Sequence, residues 1–142
     1  MPRLLLLAAL LATASSCDSA EPDFTGFDGL SGDAELLAGT WVWERSFSCG
    51  DGSGPCQEFV PAPTATETLT FTYSPETSSH NGTVEGFFNG YPVGRTMYLV
   101  EPSSRSITLG LGGTYTPFGV SEDRLVISDA ASDGEETTYR RW

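Results

Sequence analysis

Three cysteines, a single histidine and a scatter of carboxylates are the side chains of this chain that can do chemistry. Cys49 and Cys56 bracket Gly50-Asp51-Gly52-Ser53-Gly54-Pro55, a turn-rich insert flexible enough to bring two sulfurs together. A disulfide closing so short a loop is expected, with a stabilisation of about 2 kcal/mol. A metal pair or redox couple is the competing reading, but six intervening residues is not the C-x-x-C spacing, and the only histidine, His80, is far away in sequence. His80 lies in Ser78-Ser79-His80-Asn81-Gly82, a turn. Nothing local supplies both the nucleophile and the orienting carboxylate that a general base needs, so an exposed loop histidine is expected.

The carboxylates are no better placed for catalysis. Glu122-Asp123 and Glu135-Glu136 diverge when extended and make poor convergent pairs for glycoside hydrolysis. Asp51, Asp129 and Asp133 fall in loops without the ordered spacing of a calcium site. Asn81-Gly82-Thr83 fits the glycosylation pattern but reads as a hairpin turn. The chain has no phosphate-cradling glycine loop, no zinc ligand set and no serine in a nucleophile elbow. The expectation is a protein that is not an enzyme and carries neither cofactor nor metal.

Cys17 belongs to a different argument. Arg3, an apolar run from Leu4 to Leu11, and small residues ending at Cys17 have the layout of an export signal. The run is far shorter than the ~18 residues of a membrane span. Ala14-Ser15-Ser16-Cys17 resembles the end of a bacterial lipoprotein signal, with Ala14 where leucine is usual. That resemblance implies removal of residues 1–16, a lipid on Cys17, and a protein anchored to the inner or outer membrane of a bacterial cell envelope. Asp18, which favours inner-membrane retention in some bacteria, leaves the choice of membrane open. The alternative is a soluble secreted protein, cleaved near Ala14 or Ser16, with Cys17 a free thiol. An exported chain of either kind keeps a Cys49–Cys56 bond oxidised.

Once the signal is removed, about 125 residues remain, enough for one domain with a real core. Residues 17–35 are rich in Asp, Glu, Gly and Ser, with Phe24, Phe27 and Leu30 the only large apolar side chains, and read as an acidic flexible tether. The two aromatics are able to dock on the domain instead. Residues 36–142 form that domain. Nineteen acidic residues face seven arginines and no lysine. Such a surface repels nucleic acid and anionic lipid. The acids are scattered, which fits solubility of an exported protein better than a dedicated cationic ligand.

The elements that must position these residues are strands. Thr40 to Phe47 sets Trp41, Trp43, Arg45 and Phe47 against Thr40, Val42, Glu44 and Ser46. Thr68 to Tyr73 sets Leu69, Phe71 and Tyr73 against threonines. Pro61 and Pro63 keep residues 55–66 out of any central strand and predict a crossing or a lid. Asn81-Gly82, Asn89-Gly90 and Asp133-Gly134 signal hairpin turns. Further strands are expected at Thr83–Phe88, Pro92–Val100, Ser106–Leu111, Arg124–Ser128 and Glu135–Trp142, with Thr114–Phe118 a weaker candidate and Asp33–Leu37 the one short helix. Seven or eight consecutive antiparallel strands form a sandwich or a small up-and-down barrel, and closure removes the open edges.

A barrel of about eight strands holds either a packed core or one small apolar ligand. Trp43, Phe71, Tyr73, Phe87, Phe88, Tyr91, Tyr98, Tyr115 and Phe118 are equally able to line such a cavity or to fill it. Phe87 and Phe88 face opposite ways in a strand, so with Tyr91 they can form an exposed aromatic tip for a partner or a pocket mouth. The expected partners are a small apolar ligand or another envelope protein, and a monomer is favoured. A structural or protein-interaction module with a solid core, inhibitor-like through the Cys49 to Cys56 loop, is the alternative, and an unrecognised enzyme comes third.

Gly39-Thr40-Trp41 resembles the opening motif of lipocalin-like domains, Gly-x-Trp at the start of the first strand after a short turn or helix. In those folds an arginine of the last strand packs over the tryptophan. The resemblance therefore implies a barrel-closing set of Gly39, Trp41 and one of Arg140 and Arg141, of which Arg140 is assigned here. A guanidinium over an indole contributes about 1 to 2 kcal/mol when partly desolvated. The chain from Leu36 to Trp142 more closely resembles the domain of small lipoproteins of Bacteroidota-like bacteria, with a Trp-rich first strand, a Cys-bracketed insert and an Asp-Gly hairpin ending in Tyr-Arg.

Overall fold

Alternating apolar and polar residues, punctuated by tight turns, give the described residues nine strands and one turn of helix. The computed structural model describes residues 27–49, 55–74, 80–129 and 135–142. The expected signal, Cys17, Phe24 and the Asp133-Gly134 turn lie outside the described residues. In chain order the elements are α1 (Ala34–Leu37), β1 (Gly39–Ser48), β2 (Gln57–Phe59), β3 (Glu67–Tyr73), β4 (Asn81–Phe88), β5 (Tyr91–Glu101), β6 (Ser106–Leu109), β7 (Thr116–Val120), β8 (Arg124–Asp129) and β9 (Glu135–Arg141). Strands β3 to β9 follow one another as antiparallel neighbours, β3 pairs with β1, and β9 returns to β1. The result is a closed eight-stranded up-and-down barrel, with β2 as an extra strand.

That extra strand explains the proline segment. One edge of β1 is shared: Gly39–Val42 pair with β3, while Ser46–Ser48 pair with β2. The Cys49–Cys56 disulfide ties the end of β1 to the start of β2. Residues 60–66 then cross the outside of the wall, where Pro61 and Pro63 line one groove with Val42 and Arg140. The segment is a crossing, not a lid.

Two turn readings separate cleanly. Asn89-Gly90 is a true hairpin turn, with positive φ at both positions (51° and 82°), the geometry that lets a two-residue loop follow the strand twist. Asn81-Gly82 is not a turn but the start of β4, a correction with a physical reason. Gly82 stands opposite Tyr98 and Tyr73, and a Cβ there would run into the Thr72 carbonyl and lie 2.9 Å from the Tyr98 ring. The glycine is needed for a close approach.

Residues 27–35 are also not a tether. Ser31 pairs with Val120 through two backbone hydrogen bonds of 2.9 Å. Phe27 and Leu30 sit where a Cβ of Gly119 would project, on the outer face of β7. Asp33 caps α1 by accepting from the Glu35 amide at 2.9 Å. Alternation in an acidic stretch hides this docking, because only two large apolar side chains carry it. Described residues ahead of position 36 thus pack on the barrel.

The core occupies one end of the barrel. Inward residues Trp41, Phe71, Val84, Tyr98, Val100, Ile107, Phe118, Val120, Leu125 and Tyr139 pack with Ala34 and Leu37 of the helical turn. Leu69, Trp43 and Ile127 form a half-buried layer above them.

Candidate functional site

Strand register decides which side chains meet inside the barrel. In an antiparallel pair, opposed residues share a face. Trp41 opposes Leu69 and Arg141, Leu69 opposes Gly86, and Gly86 opposes Gly94. From these pairs the inward set follows around the wall.

At the closed end the inward cation is Arg141. Its guanidinium lies 4.1 Å from the Trp41 ring centroid. It also donates to the carbonyls of Ala38 (2.6 Å), Leu36 (2.8 Å) and Glu122 (2.9 Å), so it satisfies carbonyls that the end of α1 leaves open. Trp41 Nε1 donates to the Leu37 carbonyl at 2.8 Å. The assignment of Arg140 to this role is corrected: Arg140 opposes Val42 and Arg124 on the outer face. The signal that decides it is Tyr139, the one large apolar residue between Glu135 and Arg141, whose inward side chain sends its second neighbour, Arg141, inward too.

The bulge in β1 changes the other end. Pairing slips between Trp43 and Arg45, so Arg45 and Phe47 leave the face of Trp41 and Trp43, while Ser46 joins it. Trp43 Nε1 donates to Ser46 Oγ at 3.0 Å, and that hydroxyl shares a 3.0 Å hydrogen bond with Thr137. This polar stripe is half-buried on the β1–β9 side.

The β3–β6 side of the open half is apolar, and among the described residues nothing reaches the space beside Gly94. Leu69, Gly86, Gly94, Thr96 and Leu109 face inward there. A Cβ built on Gly94 meets nothing within 4 Å. Although inward, Thr96 and Leu109 are exposed, whereas Tyr98, two residues below Thr96 and directly opposite Leu109, is 2 % exposed. The wall is low at this point because β6 and β7 share only the pairs Ser106–Pro117 and Ile107–Thr116. The β4–β5 hairpin stands tall beside it, and its tip is held by Thr66, whose amide donates to Asn89 Oδ1 at 2.7 Å. Phe88, Tyr91, Val93, Leu111 and Tyr115 are exposed around this opening.

The aromatic candidates therefore divide. Phe71 and Tyr98, in edge-to-face contact at 5.2 Å, belong to the packed core and form the floor of the open half. Trp43 and Tyr73 face inward, Trp43 in the middle layer and Tyr73 opposite Gly82 at the closed end. Phe88 and Tyr91 oppose one another at the rim. Phe87 faces outward, opposite Thr68, in a groove of about 260 Å³ that also includes Thr66 and Trp142. A second outer groove, of about 360 Å³, lies between Trp142 and the prolines. Glu67 and Glu135, facing inward, and the exposed Leu109 and Leu111 are members of the open half that the aromatic pattern does not reveal. Their signal is register, which the alternation in these strands does not fix.

No family model and no curated protein matches this chain. Among solved structures it is similar to a de novo designed fluorescence-activating beta barrel, at 16% identity over 80% of this chain and 100% of that one, with a TM-score of 0.42.

Chemically, the open half offers apolar contact and carboxylates. Among the described residues no group of three or more His, Cys, Asp and Glu side chains is placed to hold a metal ion. Glu135 and Glu136 point to opposite faces. Burial raises the pKa of the Glu136 carboxyl on the outer face, an effect that Arg124 and Arg45 oppose.

Proposed function

We infer that this protein is an exported, lipid-anchored binder of a small apolar molecule, held at the bacterial envelope through Cys17 and doing no covalent chemistry. The observation that carries the reading is the uneven interior: one end packed and sealed, the other apolar, inward-facing and open beside Gly94. A barrel serving only as a solid scaffold gains by filling that space, since unfilled apolar surface forfeits burial of roughly 25 cal/mol per Å². The Arg141–Trp41–Gly39 closure supports the lipocalin-like resemblance, in which one end of the barrel is shut and the other receives a ligand. The disulfide supports export.

Native mass spectrometry of the protein purified from its own cells tests this reading. A reproducible co-purifying apolar mass is expected. An unliganded mass in every preparation, with no uptake of added apolar compounds, would contradict it. A protein partner is the second reading, favoured by Trp142, which is 74 % exposed between the two outer grooves. It predicts unliganded protein that is captured by another envelope protein and released by Trp142→Ala.

A further inference from the structure

Among the described residues, charge facing into the open half has a single sign. Glu67, the first residue of β3, opposes Phe88 and faces inward with Leu69. Glu135, the first residue of β9, faces inward with Thr137 and Tyr139. Both carboxylates act on one group: after burial, the charge of Glu67 and then of Glu135 raises the pKa of the inward Tyr139 phenol.

Cations are held elsewhere by register. Arg45, Arg124 and Arg140 oppose Thr138, Arg140 and Val42 on the outer face, and Arg95 opposes Glu85 there. Arg105 lies in the turn at the closed end, Arg141 seals that end, and the chain has no lysine. The carboxylates are scattered in sequence, but β3 and β9 flank β1, so the fold brings these two to one side of one opening. Low-dielectric walls strengthen the field of charges that they enclose.

Resting on the reading of the open half as an apolar ligand site, we propose that the ligand is a cationic amphiphile. Its apolar tail lies along Leu69, Gly86, Gly94 and Leu109, and its nitrogen cation meets Glu67 and Glu135. A fatty-acid-like anion is selected against, because its carboxylate would face both glutamates with no cation beside it.

Calorimetric titration of the purified protein with three probes of equal tail length tests this: decyltrimethylammonium, decanol and decanoate, each below its micelle-forming concentration. The cation is expected to bind about tenfold more tightly than decanol, and decanoate more weakly than either. The double variant Glu67→Gln, Glu135→Gln should bring the three affinities together, while Glu101→Gln on the outer face should leave them apart. The net charge of −12 attracts any cation, so a preference that survives the double variant would overturn the proposal. So would equal affinities in the native protein, and in both cases the apolar site itself stands. Failure of all three probes, decanol included, would overturn the apolar site and this proposal with it. Thermal melting of the Gln variants confirms that each is folded.

Discussion

The Arg141 guanidinium fills the space that a Cβ of Gly39 would take: such an atom would lie 2.5 Å from Nη1. Gly39 also has a φ of +127°, which side-chain-bearing residues rarely adopt. The glycine, the tryptophan and the arginine thus form a single device. Gly39 clears the way, Arg141 covers the Trp41 ring, and the same guanidinium satisfies the carbonyls of Leu36 and Ala38. Arg141→Ala should cost about 3 kcal/mol, since it removes the cation–π contact and leaves carbonyls unpaired. Gly39→Ala should cost a similar amount, and Arg140→Ala less than about 0.5 kcal/mol. Urea unfolding of the three variants checks the order.

Two glycines that face the same interior should behave in opposite ways. Gly82→Ala collides with the Thr72 carbonyl and the Tyr98 ring and should destabilise by about 3 kcal/mol or prevent folding. Gly94→Ala enters open space and should be neutral or slightly stabilising, because alanine restricts the unfolded chain. Thermal melts of the pair measure how hollow the barrel is above its floor.

Glu136 should make stability depend on pH. It is buried on the outer wall, and its Oε2 has no hydrogen-bond partner among the described residues. Its folded pKa is raised, so the native state takes up a proton before the unfolded state does. The penalty of the charge is therefore full above the folded pKa and vanishes below the unfolded value. Glu136→Gln should stabilise by about 1 kcal/mol at neutral pH, with the gain shrinking as acid protonates the native carboxyl. Melting temperatures across the acid range would show either that convergence or a constant offset, which would contradict it.

Reduction of Cys49–Cys56 should lower stability by about 2 kcal/mol and loosen β2 first, since the bond ties β2 to the end of β1. Hydrogen exchange at Gln57–Phe59 before and after reduction checks where the loss falls.

Much of the barrel was legible because its strands alternate and its turns announce themselves: Leu69, Phe71 and Tyr73 against threonines, and Asn89-Gly90 between β4 and β5. What escaped depended on register. The bulge beside Glu44 reverses the faces of Arg45 and Ser46, and no residue type marks it. Gly82 looks like a turn glycine and is instead a clearance for Tyr98. The choice between Arg140 and Arg141 turned on Tyr139 alone, because Glu136 and Thr138, on the opposite face, are themselves buried. Docking of Phe27 was one of two readings, and it stayed undecided because two large apolar side chains, Phe27 and Leu30, in an acidic stretch leave no periodic signal. The open half was invisible for the same reason: that Gly94 faces inward opposite Gly86, and Leu109 opposite Tyr98, is fixed only once the strands are aligned.

The most direct test of an apolar site in the open half is titration of an uncharged apolar fluorophore, 1-aminoanthracene, into the native protein and a Gly94→Leu variant. A saturable rise in fluorescence with one site per chain is expected for the native protein, together with at least a tenfold loss of affinity when leucine fills the space beside Gly94, in a variant whose melting temperature is unchanged or raised. Equal binding by the two proteins would place the fluorophore outside the barrel and contradict the account.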